Sequence, residues 1–334
     1  MRRYGSTGIA EYAFSKNGTL IYVPGKAVES ASKTLLVADG KGQVNAVSMR
    51  GGNYADVRVS PDGRSAAYTT TYPDGDDITV YDLSGKAAPR RLTFGGKSRY
   101  PLWSHDGKRV AFQSTLDGTA SLYWQLADGS GGNPVRLTTA AKGETDAPDS
   151  FSPDGKWLTY TVADKAGSSV WILDLATGKS KALLKQSGAS ISQSVFSPDG
   201  HWLAYQLMEG ANSDIFVQPF PFTGAKFQLP NQYNQNHHPT WSPDGSELFY
   251  LRGPQGLASV PITTKPSFSF GPAKELTNIP MNVAPGTRRQ FDVLPDGSGF
   301  LGVAAGVGSA AAPSKTIRIV YNWFDELKHL VPTK

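Results

Sequence analysis

One short phrase returns seven times along the chain: FSKNG at 14 to 18, VSPDG at 59 to 63, WSHDG at 103 to 107, FSPDG at 151 to 155, FSPDG at 196 to 200, WSPDG at 241 to 245 and VLPDG at 293 to 297. Its glycines lie 45, 44, 48, 45, 45 and 52 residues apart. A repeat of that period is one supersecondary unit that cannot bury its apolar face alone and must stack on its neighbours.

The chemistry of the phrase says what each unit is. Proline at 61, 153, 198 and 243 pre-sets φ at the first corner of a type I turn, aspartate suits the second, and glycine accepts the left-handed conformation that follows. An aromatic residue (Trp103, Phe151, Phe196, Trp241) ends the strand before the turn. An alternating run such as Trp157-Leu158-Thr159-Tyr160 or Trp202-Leu203-Ala204-Tyr205 begins the strand after it. Third strands read Ile78-Thr79-Val80-Tyr81, Leu122-Tyr123-Trp124, Val170-Trp171-Ile172-Leu173 and Ile215-Phe216-Val217. Short fourth strands follow, as in Arg91-Leu92-Thr93 and Val135-Arg136-Leu137-Thr138. Four strands per unit at this period predict an all-β propeller over 1–334. Repeats fall near 9–52, 53–96, 97–140, 145–187, 190–232, 235–280 and 287–323, with a short C-terminal helix at 323–330. Seven blades are expected, or six if the terminal units are incomplete. The seventh unit offers three strands, about 289–294, 299–304 and 316–321.

Composition removes whole classes. There is no cysteine, so disulfide scaffolds, thiol nucleophiles and Cys-ligated zinc are out. The formal charge of +5 is scattered in pairs such as Arg90-Arg91 and Arg288-Arg289, without the stripe or motif of a nucleic-acid binder. The longest uncharged run, Phe300 to Ala312, is Gly/Ala-rich and shorter than the ~20 residues of a membrane helix. No secretory leader pattern follows Arg2-Arg3. No nucleic-acid partner and no membrane insertion are therefore expected.

The (F/W)SPDG turn followed by an aromatic-alternating strand resembles the TolB-type, WD-like propeller repeat. Gly18-Thr19-Leu20-Ile21-Tyr22-Val23-Pro24-Gly25, Phe216-Val217-Gln218-Pro219-Phe220-Pro221 and Asn322-Trp323-Phe324-Asp325-Glu326-Leu327-Lys328 are similar to the C-terminal propellers attached to bacterial Ser/Thr protein kinases. The resemblance implies a scaffold and an extracytoplasmic, periplasmic location. It carries over no functional residues. The kinase itself is not in this sequence, which has no phosphate-cradling G-x-G-x-x-G, H-R-D or D-F-G segment. G-x-S-x-G and H-E-x-x-H are also missing, so neither a serine hydrolase elbow nor a zincin helix is present.

Counting seven residues back from each turn glycine selects one phase of the innermost strands: Glu11, Asp56, Tyr100, Gln193, His238 and Gln290, with the fourth unit shifted to Ala147 or Pro148. Nearly all are polar, as expected for a solvated ligand-facing channel mouth. Arg289 and Arg99, beside Gln290 and Tyr100, add cations that suit a carboxylate. The expected function is a non-catalytic scaffold that binds or senses a protein, peptide or acidic small molecule or sugar at that mouth. No catalytic residue, cofactor or resident metal is assigned. The alternative is a metal-assisted polysaccharide lyase or hydrolase. Gln193, His238, Gln290 and Glu11 are similar in type and placement to the mouth of propeller-type oligogalacturonate lyases, but a single aligned histidine is a thin metal set.

Overall fold

The computed structural model describes residues 12–22, 33–231, 234–253, 256–265, 267–276, 283–305, 318–321 and 323–324. The chain divides into two compact units, Leu35–Ala304 and a smaller one made of Met1–Thr34 with Ala305–Lys334.

The larger unit is built from six antiparallel sheets, named here in chain order by their innermost strands: sheet I from Tyr54–Val59, II from Ser98–Trp103, III from Thr145–Phe151, IV from Ser190–Phe196, V from Asn236–Trp241 and VI from Phe291–Val293. Each inner strand is followed by its hairpin partner (Ser65–Tyr72, Arg109–Ser114, Trp157–Asp164, Trp202–Glu209, Glu247–Arg252, Gly299–Ala305). In sheets I to V the third and fourth strands follow in sequence, and in V the extra strand Lys274–Glu275 also pairs with the third, Leu257–Thr263. Sheet VI is different: its outer strands are Lys33–Asp39 and Val44–Ala46, drawn from the start of the chain.

A distinct apolar cluster fills each junction between sheets. Ile78 and Leu92 of sheet I meet Val110 and Phe112 of II. Leu122 of II meets Leu158 and Leu173 of III. Val170 of III packs on Ile191 and Tyr205 of IV. Ile215 and Val217 of IV meet Trp241 and Leu248 of V. Leu251 and Leu257 of V meet Ala38, Phe291 and Phe300 of VI. Leu35 and Leu301 of VI meet Val57, Ala66 and Tyr68 of I, which returns the series to its start. The unit is a closed ring of six sheets, and the burial of these aliphatic and aromatic side chains drives its closure.

The expectation of seven blades is corrected at this point. The sixth sheet is completed by Lys33–Asp39 rather than by a strand near 316–321, so the ring closes at six. The FSKNG copy forms a three-stranded sheet in the smaller unit, Tyr12–Phe14 and Leu20–Tyr22 with Arg318–Val320. Trp323 and Phe324 are helical, and the rest of the expected helix lies outside the described residues.

The repeated turn is tied by its serine as well as by its glycine. In the first complete copy Ser60 Oγ donates to Asp62 Oδ1 at 2.6 Å and accepts from the Ser65 N–H at 2.9 Å. The same pair of bonds recurs at Ser104, Ser152, Ser197 and Ser242. Gly155 and Gly200 sit at φ of 69° and 72°, and a Cβ on Gly155 would meet open space, so replacement is penalised by backbone conformation alone. Gly155→Val is expected to lower unfolding free energy by roughly 1 to 3 kcal/mol. A denaturation midpoint equal to that of the parent would contradict this turn chemistry.

Candidate functional site

Each inner strand reaches the channel with a kink. The pairing register of sheets I to V slips at Asp56-Val57, Tyr100-Pro101, Asp149, Gln193-Ser194 and His238-Pro239, one β-bulge in each inner hairpin. Asp56, Tyr100, Gln193 and His238 adopt φ between 56° and 60°, a left-handed conformation that non-glycine residues rarely hold. These four are among the residues that the seven-back count selects. Strain of this kind persists only where the surroundings fix it.

What fixes it is a belt of hydrogen bonds running from sheet to sheet. Gln290 of sheet VI accepts the Asp56 N–H at 3.0 Å and donates Nε2–H to Asp56 Oδ1 at 2.7 Å. Thr69 of sheet I donates to Asp56 Oδ2 at 3.0 Å and accepts the Tyr100 N–H of sheet II at 3.2 Å. Arg99 Nε donates to Gln113, whose Nε2 reaches the Asp146 carbonyl of sheet III at 2.6 Å. Thr161 of III donates to Asp149 and accepts the Gln193 N–H of IV at 3.4 Å. Gln206 of IV accepts from Gln193 Nε2 at 3.1 Å and from the His238 N–H of V at 3.4 Å. The polar phase read from the sequence is therefore largely internal: Asp56, Gln193 and His238 are buried, and Tyr100 and Gln290 are half-buried. Burial, the first cause, raises the Asp56 carboxyl above the ordinary range against the lowering pull of Arg58, Thr69 and Gln290.

The mouth also carries an inserted segment. The longest interval between turn glycines, 52 residues, leads into Val283–Gln290, whose Pro285 and Thr287 carbonyls accept from Gln206 Nε2 at 2.9 Å and Gln193 Nε2 at 3.0 Å. Arg288 reaches back to Asp149 Oδ1 at 2.5 Å. A cavity of about 700 Å³ remains there, lined by Asp56, Arg99, Tyr100, Gln193, Gln290 and Arg288 among others. Two guanidiniums approach the Tyr100 ring, Arg99 at 5.0 Å and Arg288 at 5.5 Å from its centroid.

The remaining expected residues are elsewhere. Arg289 is buried and lines a different cavity, at the turn end of the channel, with Arg58 and Asp292. Glu11 lies outside the described residues. His238 lines neither cavity. Its Nε2 lies 2.9 Å from the Thr287 carbonyl, which only accepts, so Nε2 carries the proton and bare Nδ1 accepts from Nδ1–H of His237. Both imidazole nitrogens are thus engaged, and among the described residues no group of three or more His, Asp or Glu side chains is placed to hold a metal ion. Sequence reading missed Arg58, Asp149, Arg288 and Asp292. The aspartate at 149 stands six rather than seven residues before its turn glycine, which hides it from a fixed count.

The histidine pair sets a pH dependence. Burial pushes His237 down to about 4 and pushes His238 well down too, the latter also through His237, Arg289 and Arg288. With folded values below the ordinary 6.5, the unfolded chain binds more protons, so stability is full above about 6.5 and is lost as pH falls toward about 4. The loss from His237 alone is on the order of 3 kcal/mol. In His237→Asn, where the amide N–H takes the place of Nδ1–H, the part of this loss due to His237 should disappear while the part due to His238 remains. An unchanged slope of melting temperature against pH would contradict the assignment.

Comparison with known proteins follows the repeat. Residues 147–265 match the TolB β-propeller domain model, PD40. Over those residues the chain is similar to TolB-type propeller repeats. A TolB homolog of Chlorobium luteolum is 31% identical over 126 residues, 37% of this chain and 27% of that protein, so the chain spans about a quarter of this relative. The TolB-type fold is matched over more of the chain by the structure of a putative TolB from Agrobacterium tumefaciens: TM-score 0.65, 17% identity, 83% of this chain and 99% of that one. An oligogalacturonate lyase in complex with manganese is similar in fold at TM-score 0.53 and 12% identity, over 93% of this chain and 82% of the lyase.

Proposed function

We propose that the ring of Leu35–Ala304 is a non-catalytic binding scaffold that seats a protein segment, a peptide or an acidic sugar at the mouth lined by Asp56, Tyr100, Gln193 and Gln290. The observation that carries this reading is the pair of guanidiniums beside Tyr100. Arg288 is already paired with Asp149, whereas exposed Arg99 has no ion pair among the described residues and faces the cavity. A planar cation beside an aromatic face on a half-solvated rim suits a carboxylate-bearing ligand. The belt behind it holds the rim rigid, which lowers the ordering cost of binding. The TolB homolog among the relatives supports a protein or peptide ligand over a free sugar, and the kinase-propeller resemblance supports a sensing role outside the cytoplasm. The lyase alternative has less support, because neither nitrogen of His238 is free to ligate.

The test is a titration of acidic peptides and acidic oligosaccharides against the parent and the Arg99→Ala/Tyr100→Ala variant. At least a tenfold loss of affinity is expected in the variant. Equal binding by both would overturn the reading, as would turnover of the bound ligand by the parent.

A further inference from the structure

At the opposite end of the channel the six turns of the ring converge on a second cavity of about 400 Å³, lined by Pro61, Pro153, Pro198, Pro243 and Pro295, with His105 in the sixth place. Its walls are mainly apolar. Trp103 and Trp241 stand in them with their indole N–H groups already used, donating to the Arg58 carbonyl at 3.1 Å and the Val195 carbonyl at 3.2 Å. Only the indole faces are left for a ligand.

The floor is cationic. Arg289 is 7% exposed; it spends Nη1 on the Pro239 carbonyl and Nη2 on Asp292 Oδ1, both at 3.2 Å, and its buried Nε–H has no partner. Arg58 donates only through Nη1, to the Val57 and Arg289 carbonyls, among the described residues. The carboxylates nearby are engaged with other donors and do not take these spare ones. Asp292 Oδ2 already accepts the Val59 N–H at 3.0 Å, and Asp149 is held by Thr161, Ser194 and Arg288. Burial disfavours the charge of both guanidiniums, and Arg289 further disfavours that of Arg58, a cost that an anion relieves. A buried donor without a partner is costly, and natural interiors rarely keep one.

We propose that the turn end of the channel is a second binding site, which takes a carboxylate carried on an apolar body. The group's two oxygens meet the spare N–H groups of Arg289 and Arg58, and its body packs against the proline rings and the two indoles. A carboxylate fits better than a phosphate, because the spare guanidinium donors are few and suit two oxygens rather than three. The site is distinct from the mouth and does not rest on it.

The experiment uses the whole chain and four probes: N-acetyl-Pro-Leu-Phe as the free acid, the same peptide as the amide, hexanoate and inorganic phosphate. Binding is read by calorimetry and by fluorescence of the indoles that line the cavity. The acid should bind at least tenfold more tightly than the amide and than phosphate. Hexanoate binding as well as the peptide acid identifies the occupant as a free organic acid; much weaker binding identifies a chain-terminal carboxylate. Arg58→Gln removes a cation without orphaning Asp292, and Arg289→Lys keeps the charge while deleting the forked Nε–H. Each should weaken the acid at least tenfold with circular dichroism unchanged. Equal binding of acid and amide, no binding of any acid, tighter binding of phosphate, or affinity unmoved by either folded variant would overturn the site. Loss of acid binding in Arg99→Ala/Tyr100→Ala would place the ligand at the mouth instead, overturning this site while leaving the mouth reading intact.

Discussion

Asp149→Ala is expected to destabilise the ring by roughly 3 kcal/mol or more. The side chain is fully buried and serves three partners at once: Thr161 Oγ1 of its own sheet at 2.8 Å, Ser194 Oγ of the next sheet at 3.0 Å, and the Arg288 guanidinium of the inserted segment. Alanine leaves Arg288 without a counter-charge and orphans the hydroxyls that define the bulge of sheet III. Asp149→Asn keeps acceptors for Thr161 and Ser194 and loses the ion pair, so a smaller loss is expected. Chemical denaturation checks both. A midpoint for the alanine variant within about 0.5 kcal/mol of the parent would show that the belt does not hold sheets III and IV together.

Gly299→Val should have an effect of similar size for an unrelated reason. Gly299 begins the strand that pairs with Lys33–Asp39, and a Cβ there would fall 2.1 Å from the Ala38 carbonyl oxygen and 3.0 Å from Asp39 Cα. Backbone cannot move aside as a side-chain tip does, so the two strands that close the ring must separate. A loss of roughly 3 kcal/mol is expected, with a smaller loss for Gly299→Ala. Wild-type stability for the valine variant would mean that the ring is not closed by this pairing.

Much of the fold was legible because the turn phrase is local chemistry. Proline, aspartate and glycine at fixed offsets need no tertiary contact to be read, and the strands beside them alternate cleanly. Ring closure was not legible for the converse reason: Lys33–Asp39 pairs with a strand some 260 residues away, and no local signal in Lys33-Thr34-Leu35-Leu36 names that partner. The count back from each glycine found four residues at left-handed φ, because repeats place equivalent atoms equivalently. It misjudged why they are polar. Asp56, Gln193 and His238 are polar because their side chains close the belt, Asp56 with Gln290 and Thr69, Gln193 with Gln206 and the Thr287 carbonyl, and His238 with that carbonyl and His237, a demand invisible in one unit taken alone. Arg289 and Gln290 are adjacent in sequence, yet only Gln290 faces the mouth, since successive residues of an extended segment point to opposite sides.

Amide hydrogen exchange of the parent, free and saturated with an acidic peptide that it binds, tests the mouth directly. Added protection should fall on the bulges around Asp56, Tyr100 and Gln193 and on Pro285–Arg288, with the short outer strands Arg90–Arg91, Val135–Arg136 and Phe227–Gln228 unchanged. Protection confined to those outer strands, with the bulges exchanging as in the free protein, would contradict the account.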